Sequence, residues 1–108
     1  CATCRKALAW LQEHQIAHDL FDIVETPPSR EILSGASKQL ASRKLLFNTS
    51  GVSYRALGAD AVKAMSDDEA LDALASDGKL IKRPFLITEN GSVLVGFKPE
   101  VWAEALLP

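Results

Sequence analysis

The chain has little of what marks the more specialised classes of protein. It contains two cysteines, one methionine and two histidines in 108 residues, and aromatic residues make up only 6%. Two cysteines are too few for the disulfide framework of a small secreted domain. They fit a reducing, cytoplasmic compartment in which paired thiols do chemistry or sensing. No apolar run approaches the ~18 residues of a membrane-spanning helix, and no signal-peptide pattern stands in these residues. An excess of charge of one sign is missing too. Twelve Lys and Arg face fourteen Asp and Glu, for a net charge of −2, which exerts no broad pull on nucleic acid. There is no internal repeat, low-complexity tract, phosphate-cradling glycine loop or Ser/His/Asp set in usable context. What is present is 47% hydrophobic against 24% charged residues, the composition of one globular domain with one core.

The chemistry stands at the start. Cys1-Ala2-Thr3-Cys4-Arg5-Lys6 puts two thiols in C-x-x-C spacing at the mouth of a helical run. A helix start offers unpaired backbone N–H groups and about half a positive charge, and Arg5 and Lys6 add two cations. Each of these favours thiolate over thiol, so Cys1 is expected to titrate below the ~8.5 of a free cysteine. Cys4, one turn on, can displace whatever Cys1 captures. The residues therefore point to thiol–disulfide exchange, with Cys1 and Cys4 as candidate catalytic residues. The sequence opens on Cys1 without a methionine. Because a helix-start thiol is normally held by a strand before it, a leading strand is expected to be missing from this chain.

Apolar spacing predicts a helix from Thr3 to about Gln15, with Ala7 and Leu11 inside, then a short strand over His18–Val24. After Pro27-Pro28, Ser29 and Glu31 mark a helix entry. That helix is expected to weaken at Gly35 and resume through Leu40 to Phe47. Asn48–Gly51 reads as a turn, and Tyr54–Leu57 as a short helical turn. Ser66-Asp67-Asp68-Glu69 has the form of a capping box, and Asp77-Gly78 of its helix's end. Phe85–Thr88 and Val93–Phe97 flank Asn90-Gly91, which favours a hairpin with a tight primed turn. A last helix spans Glu100 to Leu107. With the leading strand added, the order is that of a thioredoxin-like α/β fold: a small mixed sheet flanked by helices, with a helical insertion over about 29–79 in a single domain, 1–108. Pro84 cannot donate to a ladder and so belongs at the first position of its strand. X-Pro bonds are the ones that can be cis. In thioredoxin-like folds a cis-proline faces the active thiol, which would set Arg83 over it.

Five motifs occur in order along the chain: Cys1-x-x-Cys4-Arg5-Lys6; Thr26-Pro27-Pro28-Ser29; Phe47-Asn48-Thr49-Ser50-Gly51 leading to Tyr54-Arg55-x-Leu57-Gly58; Leu80-Ile81-Lys82-Arg83-Pro84; and Gly96-Phe97-Lys98-Pro99-Glu100. Together they resemble the ArsC/Spx family, which holds glutaredoxin-linked arsenate reductases, Spx-type transcription regulators and ArsC-like reductases of unassigned substrate. The third group is the most similar. The resemblance implies a thiol-dependent oxidoreductase with Cys1 as nucleophile, and Arg83, Pro84, Lys98 and Arg5 around the substrate. It implies no metal and no tightly bound cofactor. Glutathione, glutaredoxin or thioredoxin would serve as electron donor, and an oxyanion as a possible substrate. The alternative it carries is a redox-sensing regulator that binds the α subunit of RNA polymerase, without direct nucleic-acid or membrane contact.

Two departures weaken an arsenate reading. The family's arsenate reductases resemble one another in three arginines around the thiol, and here the first falls at or near Phe47 and the third at Lys98. Lysine is a point charge rather than a flat fork, and phenylalanine is neither. Cys4 at the resolving position instead suits an internal disulfide. His14 and His18 have the spacing of half a zinc finger. On one helix, however, Cys4 and His14 would lie ~15 Å apart, too far to share an ion. Tyr54 and Trp102 read as packing residues, and Asp67-Asp68-Glu69 as first-turn charge.

Overall fold

A computed structural model describes residues 1–108. In chain order it contains α1 (Ala2–Glu13), α2 (Arg30–Gln39), a 3-10 turn (Arg43–Leu46), α3 (Val52–Leu57), α4 (Ala59–Ala64), α5 (Asp67–Ser76), a second 3-10 turn (Gly78–Leu80), strands β1 (Phe85–Ile87) and β2 (Val93–Val95), and α6 (Pro99–Leu106). The chain divides into two compact units. One is built from Cys1–Leu20 and Arg83–Pro108, the other from Phe21–Lys82.

The first unit is α1, the hairpin and α6. Ala7 and Leu11, one turn apart on α1, are buried with Trp102 of α6, and Trp10, Ile16, Leu86, Leu94, Phe97 and Leu106 close around them. Leu86 and Leu94 stand directly opposite in the antiparallel register that also pairs Phe85 with Val95 and Ile87 with Val93. A cross-strand pair on one face thus forms the floor under α1. Trp102, 2% exposed, meets Phe97 edge-on at 4.9 Å and Trp10 edge-on at 6.0 Å between ring centres. Its indole N–H is satisfied by the Gly96 carbonyl at 3.2 Å. Trp102 is a packing residue, as read from the sequence.

α1 stops in a Schellman motif. The Ile16 N–H reaches back to the Leu11 carbonyl and the Gln15 N–H to that of Gln12, with Gln15 left-handed at φ 56°, where glycine is usual. The hairpin loop corrects the primed-turn expectation. Only Gly91 has positive φ, its N–H closes on Thr88 O, and the Thr88 N–H closes on Ser92 O. This is a three-residue loop ending in a glycine bulge, the next favoured solution when Asn precedes a left-handed Gly.

The second unit is held by its helix ends. Ser29 accepts from the Ile32 N–H at the start of α2. Ser66 and Glu69 form the reciprocal capping box of α5. Leu33 and Ala36 of α2 are fully buried, and α2 packs on α5. Phe47 bridges Ile81 in a one-residue antiparallel contact, flanked by bonds from the Asn48 N–H to Leu80 O and from the Lys82 N–H to Leu46 O, each 2.7 Å.

Three sequence readings need correction here. His18–Val24 is not a strand. Its backbone joins no ladder, and the Asp22 carboxylate takes the Val24 N–H at 2.9 Å while Asp22 O takes the Thr26 N–H. The aspartate thereby bends the chain into a turn in place of sheet pairing. The helix from Ser29 does not resume to Phe47. Leu40 is extended at ψ 152°, and Ser42 caps a separate 3-10 turn. Finally, Gly58, at φ 87°, ends α3 and starts a further helix, α4, that the apolar pattern did not reveal.

Candidate active site

Cys1 is the N-cap of α1, and its Sγ accepts the backbone N–H of Cys4 at 3.3 Å. Serine does the same work at α2 and α5, where Oγ accepts the N–H three residues on at 3.2 and 3.1 Å. A sulfur thus occupies a position for which serine oxygen is the ordinary choice. α1 also lacks any acid in its first turn, whereas α2 has Glu31 and α5 has Asp67, Asp68 and Glu69. Acids there would neutralise the positive end of the helix dipole. Without them, that field and its orphan donors are left to the sulfur. Both cysteines are free thiols, Cys1 exposed and Cys4 half-buried.

The other candidate residues lie in the same unit. The Arg83–Pro84 peptide is cis, as expected. The Pro84 carbonyl receives the Gly96 N–H at 2.9 Å. This bond continues the Phe85–Val95 pairing and sets Arg83-Pro84 and the Gly96–Lys98 segment at one end of the hairpin. Gly96 has φ 70°, and sequence reasoning gave it no role of its own. Its signal was a glycine between an apolar run and an aromatic. Lys98 is exposed as the N-cap of α6 and makes no side-chain cap bond. Arg5 is exposed, its backbone N–H closing the first helical bond to Cys1 O at 3.2 Å. Arg83 is half-buried. Every ion pair of the protein falls on Arg30 or Arg43, so Arg5, Arg83 and Lys98 keep unpaired charges. None of the three donates a hydrogen bond to either sulfur; the bond to Cys1 Sγ comes from the Cys4 backbone. The local sequence brings the two thiols together, and the hairpin end brings together Arg83, Pro84 and Lys98.

His14 and His18 each engage a nearby backbone carbonyl through Nδ1, of Trp10 and Ile16 respectively, at 2.9 Å, and the His14 ring lies tilted by 36° against Trp10, 4.2 Å between ring centres. Phe47 is 2% exposed in the second unit, its ring 6.0 Å from that of Tyr54. No helix is long and apolar enough to cross a membrane.

A thiol pair at a helix start beside a hairpin entered through a cis-proline defines a thioredoxin-like α/β protein. Known proteins narrow the class. The chain belongs to the ArsC family, which it matches over residues 1–105. It is 47% identical to the uncharacterized protein YusI of Bacillus subtilis, across 96% of this chain and 89% of that one. The crystal structure of a possible arsenate reductase from Streptococcus mutans superposes with a TM-score of 0.84 at 42% identity, covering 91% of this chain and 84% of the other. The global transcriptional regulator Spx of Streptococcus pyogenes is 29% identical, over 93% of this chain and 74% of Spx.

Proposed function

We propose that this protein is a thiol-dependent oxidoreductase, with Cys1 as nucleophile and Cys4 as resolving thiol. The observation that carries the reading is the Cys1 sulfur at the N-cap of α1, bonded to the Cys4 N–H in a helix turn without acids. The Cys1 thiolate attacks one sulfur of a substrate disulfide, forming a mixed disulfide and expelling the other sulfur as thiolate. Cys4, on losing its proton, attacks Cys1 Sγ and releases the second substrate thiolate. The two cysteines give up two electrons and become a disulfide. Glutathione, glutaredoxin or thioredoxin returns those electrons by the reverse exchange. Arg83, with Lys98 and Arg5, favours anionic groups near the sulfur. At the positions of the family's three arginines, Arg83 with Lys98 makes a poorer site for a tetrahedral oxyanion than three guanidiniums do, so arsenate turnover is expected to be weak.

The test is a Cys4→Ser variant exposed to glutathione disulfide. It should accumulate a mixed disulfide on Cys1 by mass spectrometry, and the Cys1 thiolate absorbance should titrate with a midpoint below ~8.5. A midpoint at or above that value, with no adduct, would end the reading. The likeness to Spx supports a second one, a redox-sensing regulator that engages the RNA polymerase α subunit. Redox-dependent retention of the protein by the α C-terminal domain would put that reading first.

A further inference from the structure

The second unit contains a half-open cavity of about 270 Å³ between the first 3-10 turn, α3 and α4, lined by Ser42, Arg43, Lys44, Phe47, Tyr54, Val62 and Lys63. Its floor is apolar and comes from three separate segments: Phe47, 2% exposed, Val62, 6%, and the ring of Tyr54, 9%. Its rim is cationic. Arg43 is already engaged, pairing with Asp67 at 2.8 Å and donating to the Val62 and Met65 carbonyls at 3.1 and 2.6 Å. Lys44 and Lys63 are exposed and belong to no ion pair. Ser42 Oγ accepts the Lys44 N–H at 3.2 Å, which leaves its hydroxyl hydrogen free to donate. No acid lines the cavity. Ligand sites characteristically join an apolar body to a few convergent polar groups, and a dry cavity of about 150 Å³ already takes benzene.

We infer that this cavity binds a small carboxylate with an apolar body of ring size. The body stacks on Phe47, Tyr54 and Val62, and the carboxylate meets Lys44, Lys63 and the Ser42 hydroxyl. The preference for one carboxylate over a bare inorganic anion follows from the floor, because two exposed lysines alone hold an anion only weakly. The preference over a neutral ring compound follows from the rim, where two cations have no counter-charge.

The whole chain, labelled with ¹⁵N, is titrated with 3-phenylpropionate, with its neutral amide and with acetate, and the amide signals of Phe47, Tyr54 and Val62 are followed. Phenylpropionate is expected to move those signals saturably. The amide should bind about three- to tenfold more weakly, the range two exposed charge pairs can supply, and acetate, which keeps the charge but lacks the ring, at least about tenfold more weakly through lost apolar burial. Lys44→Gln with Lys63→Gln should bring phenylpropionate down to the level of its amide while leaving the spectrum of the free protein folded. Val62→Phe, which fills the cavity, should abolish the shifts. Equal binding of acid and amide, equal binding of acid and acetate, or no saturable shift in the parent chain would each overturn the assignment. Thiol reactivity at Cys1 is read separately, so this result and that of the proposed oxidoreductase activity fail independently.

Discussion

The two compact units use charge in opposite ways. In the second, both buttressing arginines are committed. Arg30 holds Asp68 and Asp72, one turn apart on α5, at 2.7 Å each, and so ties the start of α2 to α5. Arg43 satisfies the last carbonyls of α4 while pairing with Asp67 at the first turn of α5. The first unit has Arg5, Lys6, Arg83 and Lys98 and no ion pair at all, and its leading helix begins on sulfur with no acid in its first turn. A helix built for stability would have an acid in that turn and an oxygen at its cap. Charge holds structure together in one unit and is left available for chemistry in the other. Mutations of charged and capping groups should therefore separate: those at the thiol end of the first unit change reactivity, and those in the second change stability.

The sharpest break in that contrast would come from Cys1→Ser. Serine caps a helix as well as or better than cysteine, as Ser29 and Ser66 do here. Mixed-disulfide formation should fall to background while unfolding in urea moves by no more than about 0.5 kcal/mol. Gly78→Ala, in the second unit, is the mirror case. A Cβ at Gly78 would lie 1.9 Å from Ile23 O and 2.7 Å from Ile23 C, backbone atoms with no side-chain freedom to yield. It should cost about 3 kcal/mol in urea unfolding, with the Cys1 thiol in the folded fraction reacting as before. Arg43→Lys ranks next. An ammonium cannot reach Asp67 and two carbonyls in a fixed fork, and the loss should be about 1–2 kcal/mol. If Cys1→Ser unfolded the protein, or Gly78→Ala left its stability intact, the division of labour would be wrong.

These cases also mark what the sequence makes legible. The C-x-x-C at a helix start, the Ser66–Glu69 box and the proline ahead of β1 are signals contained within a few residues, and each has the conformation its chemistry demands. The tight spot at Gly78 is not of that kind, because it exists only when Ile23, more than fifty residues earlier, lies against it. α4 is six residues long and is closed by an arginine from a different turn, so its own apolar pattern is too short to declare it. His18–Val24 has a strand's composition, but a strand is a property of two segments, and the Asp22 side chain, taking the Val24 N–H, decides its course. The cationic rim over the Phe47–Tyr54 floor was equally hidden, since Lys44 and Lys63 meet only in the folded unit.

A smaller effect probes the first unit from the stability side. Gln15 holds the left-handed position of the Schellman motif at φ 56°, which costs a residue with a Cβ about 1 kcal/mol. Gln15→Gly should recover part of that and raise stability by about 0.5–1 kcal/mol in urea unfolding. Any gain is expected to leave the Cys1 reaction rate unchanged, because the change lies at the opposite end of α1 from the sulfur.

The smallest expected effect is one of pH, and it returns to the second unit. Hydrogen bonds from the Ser66 backbone, and then from its side chain, hold the Glu69 carboxyl below its ordinary value of 4.5. A carboxyl depressed in the folded state binds its proton more readily when unfolded. Its contribution is therefore complete above about pH 4.5 and is lost as the pH falls through the lower folded value. Glu69→Gln keeps an oxygen to accept the Ser66 N–H but removes the titration. Relative to the parent, the variant should be less stable at neutral pH, and the difference should shrink as the pH drops below 4.5. The group is solvent-exposed, so the difference should also shrink in high salt. Urea unfolding at a series of pH values reads both. A constant gap across pH 3 to 7 would mean that the cap acts through geometry alone, and that the charges of the second unit matter less to its stability than its hydrogen bonds.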